Sequence, residues 1–184
     1  YYNNNNSRNS LNYNHVSCFL PDPAAPEKYL WIATKGGGLN RLDKKTGDFC
    51  HLTTKDGLPD DVVYGILTDK AGNIWGSTNK GIFCMTATAN THDTIFNFRN
   101  FTKSAGLQDD EFNTGAYAKL SNGNLAFGGV NGLNIFNPAA ILKNEFTAPV
   151  YITNILVGNK AVLPNDNTGV LQHMIEQTAS ISLN

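Results

Sequence analysis

The 184-residue chain is short of charge of either sign. It carries 14 Lys and Arg against 15 Asp and Glu, a net charge of -1, and charged residues make up 16% of it, where about a quarter is usual in globular proteins. Without a basic surplus nothing can neutralise a phosphate backbone, so no nucleic-acid partner is expected. Long apolar runs are missing too. None approaches the roughly 18 residues needed to cross a bilayer, so a membrane would be reached only through segments outside this chain. The sequence begins at Tyr1, and no basic stretch precedes an apolar one. Any export signal is therefore expected to have been removed or to lie upstream, and the chain reads as a piece of something longer.

Several kinds of chemistry lack their residues. Cys18, Cys50 and Cys84 are widely spaced, with no CxxC and no histidine at ligand spacing, so neither a metal site nor a cofactor is expected. Each cysteine sits among apolar neighbours and reads as a small buried hydrophobe, and a single disulfide with a spare thiol stays open. His15, His51, His92 and His173 are scattered without catalytic partners. Gly36-Gly37-Gly38 lacks the Lys-Ser/Thr and helix of a phosphate-binding loop, and no GxSxG marks a hydrolase elbow. What remains is a chain with 41% hydrophobic residues, enough for a core, in which 25 asparagines carry much of the polar character. Only the opening Tyr1-Tyr2-Asn3-Asn4-Asn5-Asn6 is of low complexity.

The dominant positive signal is repetition. Leu30-Trp31-Ile32-Ala33-Thr34 with Gly38-Leu39 recurs as Ile74-Trp75-Gly76-Ser77-Thr78 with Gly81-Ile82, and more loosely as Leu125-Ala126-Phe127-Gly128-Gly129 with Gly132-Leu133. Phe49-x-x-Leu52-Thr53-x-x-x-Gly57-Leu58-x-Asp60-Asp61 matches Phe98-x-x-Phe101-Thr102-x-x-x-Gly106-Leu107-x-Asp109-Asp110 without a gap, 49 residues on. A further copy begins near Leu11, where Leu11, Asn14, Val16, Phe19 and Asp22 parallel Leu58, Asp61, Val63, Ile66 and Asp69 at an offset of 47. Within a unit, β-branched and apolar runs such as Val62 to Leu67 and Val16 to Leu20 alternate with turns rich in Gly, Asn and Asp, such as Asp69-Lys70-Ala71-Gly72-Asn73. Strands are expected at Ile74 to Thr78, at Ile82 to Met85 and into Phe98 to Thr102. Four short strands per repeat of roughly 45 residues point to a β-propeller. A β-sandwich is the runner-up, but it requires no fixed period of turn chemistry.

These residues resemble the two-component regulator propeller repeat. The resemblance rests on Leu30-Trp31-Ile32-Ala33-Thr34-Lys35-Gly36-Gly37-Gly38-Leu39-Asn40-Arg41-Leu42-Asp43, on Asp56-Gly57-Leu58-Pro59-Asp60-Asp61-Val62 and on Asp69-x-x-Gly72-Asn73-Ile74-Trp75. Gly106 to Asn113 with Phe127 to Pro138 resembles a divergent last repeat, and Pro149-Val150-Tyr151-Ile152-Thr153-Asn154-Ile155-Leu156-Val157 the passage into the family's triple-tyrosine domain. Three departures stand out: Gly76 follows Trp75 where an apolar residue is usual, Ala126 replaces the repeat tryptophan, and the tail stops at Asn184 before a sandwich is complete. The resemblance implies an all-β chain. Residues 1–143 would form about three four-stranded blades of a larger propeller, and residues 144–184 a connector and the first strands of an immunoglobulin-like sandwich. It further implies the periplasmic sensor region of a Bacteroidetes-type hybrid two-component histidine kinase. Such a region detects oligosaccharides and controls polysaccharide-utilisation genes, and the segment itself is not an enzyme. The alternatives are part of a propeller enzyme, lyase or glycoside-active, and a protein-interaction propeller.

Three motif sets cannot close a ring that typically needs four to eight blades. The expected partners are therefore the remaining blades and sandwich of the same receptor, and an isolated arc is expected to self-associate through its bare faces. Antiparallel alternation puts the blade-to-blade turns and the turns between second and third strands at one end of the sheets. Asn14, Lys35, Asp61, Asn79, Lys80, Asp110 and Asn131 are expected to meet there and to suit sugar hydroxyls, although turn geometry alone would also place Asn and Asp at such positions. Asp60-Asp61 and Asp109-Asp110-Glu111 read as turn residues rather than glycosidic acid and base pairs, because neighbours on an extended segment point apart. Asp69 to Trp75 resembles the Asp-box turn of sialidase propellers, with Asp and Gly three apart rather than two. Trp31 and Trp75 read as blade-packing residues. The stretch Asn144 to Val150, bracketed by Pro138 and Pro149, is expected to couple the last blade to the sandwich.

Overall fold

The computed structural model describes residues 9–89, 94–141, 153–167 and 169–175. The Tyr1 to Asn6 run, His92, the connector from Asn144 to Val150, and Tyr151 and Ile152 of the triple-tyrosine resemblance lie outside the described residues. The chain divides into two compact units, residues 1–142 and 143–184.

In the first unit the alternating runs become three antiparallel sheets whose strands follow chain order. The first holds β1 (Val16–Pro21), β2 (Tyr29–Thr34), β3 (Leu39–Asp43) and β4 (Phe49–Leu52). The second holds β5 (Val63–Thr68), β6 (Ile74–Thr78), β7 (Gly81–Ala89) and β8 (Thr94–Phe101). The third holds β9 (Phe112–Lys119), β10 (Leu125–Gly129) and β11 (Gly132–Phe136). Among the described residues it has three strands, not the expected four. The chain leaves β11 at Asn137, whose side chain accepts from Ala139 N at 3.0 Å, and enters a short 3-10 turn, Pro138–Ala140. A proline there cannot donate to a ladder. The second unit contains one short hairpin among its described residues, β12 (Leu156–Val157) with β13 (Lys160–Ala161).

The central, second sheet is buried on both faces, and strand alternation sorts its residues between them. On β7, Phe83 and Met85 join the core shared with the first sheet, whereas Ile82 and Cys84 join the core shared with the third. Trp31 belongs to the first of these cores and Trp75 to the second, so both tryptophans pack between blades. Each indole N–H is satisfied by the turn before its own strand. Trp31 donates to Asp22 at 2.8 Å and Trp75 to Asp69 at 2.9 Å. Asp69 also accepts from the backbone N–H of Ala71 and Asn73, both at 2.9 Å, so this turn is a structural clip. Leu11, Leu58 and Leu107 fill equivalent places, each in one of the three hydrophobic clusters. Cys18 and Cys50 are half-buried and Cys84 is buried, with no disulfide joining the three among the described residues.

Candidate functional site: a polar rim at the blade junctions

Each junction between sheets is closed by the same backbone clasp. The Asp61 carbonyl accepts from Gly36 N at 3.0 Å and from Gly38 N at 2.7 Å, and the Asp110 carbonyl accepts from Gly81 N at 2.7 Å. The clasp ties the turn between second and third strands of one sheet to the link entering the next. Glycine is required at its anchor, because a side chain on Gly38 or Gly81 would run into the carbonyl oxygen of Leu52 or Phe101. The aspartate side chains work just as locally. Asp61 accepts from Thr54 N at 2.7 Å and Asp110 from Lys103 N at 2.6 Å, holding the 3-10 turns Thr54–Asp56 and Lys103–Ala105. Asp60 likewise accepts from Val62 N at 2.8 Å, and Asp109 from Asp110 N at 2.8 Å. Each of these four carboxylates thus accepts from a backbone N–H of its own turn.

The other expected site residues fall into two groups at the same end of the sheets. At the junction of the first and second sheets, Lys35 pairs with Val62 through an isolated bridge, and Lys35 N donates to the His15 carbonyl at 2.9 Å, next to the exposed Asn14. At the junction of the second and third sheets lie Asn79, Lys80 and Asn131. Lys80 Nζ stands 3.6 Å from the Asp60 carboxylate. Asn131 donates through its backbone to Gln108 at 2.6 Å and through its side chain to Asp109 at 2.5 Å. The backbone N–H of Asp110 and then Lys103 and Asn131 hold the Asp109 carboxyl below its ordinary range.

Tyr64 joins the two groups. The register of β5 against β6 slips between Val63 and Gly65, and a bulge of this kind re-aims a side chain. The phenol donates to Asn79 Oδ1 at 2.5 Å, while Lys35 Nζ sits 6.0 Å from the ring centroid. Partial burial, followed by the nearby carboxylates of Glu111 and Asp60, pushes its pKa up, so the hydroxyl stays a neutral donor. Sequence reasoning missed Tyr64, as it missed Gln108. The available signal was the Val62-Val63-Tyr64-Gly65 run, where alternation breaks one residue before a glycine. The same slip recurs between Val16 and Cys18 on β1. The rim thus presents ammonium, amide and phenol groups on turns fixed by the clasps, an arrangement suited to neutral polyhydroxyl ligands. No cluster of three His, Cys, Asp or Glu fit to hold a metal occurs among the described residues.

Sequentially wound antiparallel sheets, packed face to face and joined by a repeated clasp, define an arc of β-propeller. The family model of the two-component regulator propeller matches residues 57–80, which run from the clasp link through β5 and β6 to Lys80. Histidine kinase P4 of Formosa agariphila is 27% identical over 128 residues, covering 70% of this chain and 9% of that protein. A solved extracellular domain, from a protein assigned to the hybrid two component systems of B. thetaiotaomicron, superposes with a TM-score of 0.57 at 26% identity. That match covers 82% of this chain and 20% of the solved one. The chain thus resembles the two-component regulator propeller over residues 57–80 and is similar to a part of a histidine kinase and to a part of the extracellular domain of a hybrid two component system.

Proposed function

We propose that this chain is a non-catalytic segment of the periplasmic sensor region of a hybrid two-component histidine kinase. In this reading its rim contributes to, or transmits, the binding of an oligosaccharide that controls polysaccharide-utilisation genes. The match to an extracellular domain of such a system carries the reading. The rim supports it physically, since Asn79, Tyr64 and Lys35 offer hydroxyl-matching donors and acceptors on a rigid frame, and the neighbouring carboxylates are spent on turns. Residues 144–184 are read as a connector and the start of an immunoglobulin-like sandwich, and the remaining blades as the arc's natural neighbours.

Calorimetric titration of the complete extracellular region against plant, host and microbial oligosaccharides tests this, with the 184-residue chain run in parallel. Binding by both, lost in Asn79→Ala and weakened in Tyr64→Phe and Asn131→Ala, would put part of the site on this rim. Binding by the whole region alone would make the arc a transmitter, and binding by neither would overturn the oligosaccharide reading. Val130, Leu133 and Ile135 are each more than half exposed, so the isolated chain is expected to associate at tens of micromolar in sedimentation. A sharp monomer would count against the larger propeller.

A further inference from the structure

We propose that, given the oligosaccharide reading above on which this rests, Tyr13 is a stacking platform on the rim. It carries the C–H face of a pyranose ring while the polar groups beside it take the ring's hydroxyls. Gly36-Gly37-Gly38, which has no part in phosphate binding, provides the seat of that platform.

Tyr13 breaks the repeat. Its place in the other two links is taken by Asp60 and Asp109, each of which accepts from a backbone N–H of its own turn. The turn it faces departs as well: Thr34 to Gly38 is one residue longer than Thr78 to Gly81 or Gly129 to Gly132, and Gly36 and Gly37 lie within it. The two departures meet. From the point where a side chain would begin on Gly36, Cζ, Cε2 and Cε1 of Tyr13 lie at 2.8, 2.9 and 3.1 Å. Three consecutive ring atoms can be that nearly equidistant only from a point above the ring plane, so Tyr13 lies with its face on the glycine. At Gly37 the corresponding point is 2.7 Å from Tyr13 Cβ, and a side chain at either position would lift the ring. Asn12 fastens the seat. Its amide donates to the Gly37 carbonyl at 2.6 Å, and its backbone N–H to the side chain of the buried Asn40 at 3.2 Å. Tyr13 is nevertheless 41% exposed, so its opposite face looks outward. Trp31 and Trp75, at 1% and 3%, offer no such face. The same turn carries Lys35, whose ammonium stands over the Tyr64 ring, and Tyr64 donates to Asn79. An open aromatic face beside fixed polar groups matches a pyranose: the partly positive C–H hydrogens meet the negative face of the ring, and the hydroxyls point sideways to ammonium, phenol and amide. A tyrosine already seated loses little conformational freedom on binding, which suits it to that task.

The probes are the methyl β-pyranosides of glucose, galactose and xylose, with sorbitol as a polyol that has hydroxyls but no ring face. They are titrated into the intact 184-residue chain carrying isotope-labelled tyrosine, and the ring signals of Tyr13 and Tyr64 are followed by NMR. At least one pyranoside is expected to shift the Tyr13 ring saturably, and sorbitol to leave it unmoved. Tyr13→Phe should bind that pyranoside as the parent does, and Tyr13→Ala about tenfold more weakly, a loss of roughly 1.4 kcal/mol. Saturation transfer from the Tyr13 ring protons to the sugar C–H protons reads the stacking in the unaltered chain, so a misfolded variant cannot decide the outcome. Shifts at Tyr64 with none at Tyr13, equal shifts with sorbitol, or undiminished binding by Tyr13→Ala would overturn the platform and leave the rim reading standing. Shifts at neither ring with any of the three sugars would overturn the platform and count against the rim as well.

Discussion

The two junctions of the arc use the same parts to different completeness. Between the first and second sheets the core runs from Trp31 and Leu39 to Phe83 and Met85, and four-stranded sheets stand on both sides. Between the second and third sheets the clasp, the tryptophan and the leucine recur, but the outer strand of the third sheet is missing among the described residues and a groove stands beside Trp75. Clasp and core thus recur at both junctions.

The largest expected effect breaks the better-sealed junction. Trp31, 1% exposed, packs edge-on to Phe96 with centroids 5.4 Å apart, and Trp31→Ala is expected to cost about 3–5 kcal/mol. Trp75→Ala should cost less, because one side of its ring borders the groove. Equal losses in urea denaturation would erase the contrast.

Next comes the inner edge, where the two junctions touch. Tyr117 of β9 lies across Gly65 of β5, so that a methyl on Gly65 would strike its ring, and it hydrogen-bonds to Cys18 of β1. Gly65→Ala is expected to lose about 1–3 kcal/mol by overpacking. Much of that should return in the Gly65→Ala, Tyr117→Ala double variant relative to Tyr117→Ala alone. Strict additivity would show that the crossing contact is not tight.

A smaller effect appears at alkaline pH. Burial pushes the Cys84 thiol from 9.0 up to about 11, and burial followed by the Cys18 contact pushes the Tyr117 phenol from 10.0 up to about 12. In each case the folded state keeps a proton that the unfolded state has released, so stability falls as pH rises. It should be level below about pH 9, fall from 9 to 11 with Cys84 and go on falling to about 12 with Tyr117. Denaturation midpoints across this range check it, and Cys84→Ser should reduce the earlier part of the slope, the rest coming from Cys18, whose thiol is likewise pushed up by burial. A flat profile would place both groups in solvent.

Lys80→Ala should change stability least, by under about 0.5 kcal/mol, since the ammonium is 70% exposed and its partner Asp60 stands 3.6 Å away. The same substitution is the more sensitive probe of ligand binding, and a large stability loss would mean that the ion pair organises the second clasp.

Much of this was legible in the residues, and the reason is local. Ile74 to Thr78 is a strand at the expected bounds, because apolar residues sit between an Asp-Gly-Asn turn and a Thr-Gly turn. Trp31 and Trp75 were legible as blade-packing residues from their recurrence. The site was read less well. Asp61 and Asp110 were expected among the rim's ligand groups, and what their spacing did not show is that their carboxylates accept from Thr54 N and Lys103 N. A carboxylate seven residues from a free backbone donor turns inward only once a 3-10 turn brings the two together. Tyr64 owes its place to a register slip, which exists only between two paired strands.

The sequence by itself determined the repeat, the strand and turn alternation, and the glycines and aspartates at each junction, since those follow from residue spacing and backbone preference. Only the tertiary structure decided which carboxylates accept from turn backbones and that Tyr64 stands between Lys35 and Asn79. Those facts depend on which atoms from distant segments meet, and spacing along one chain does not specify the meeting.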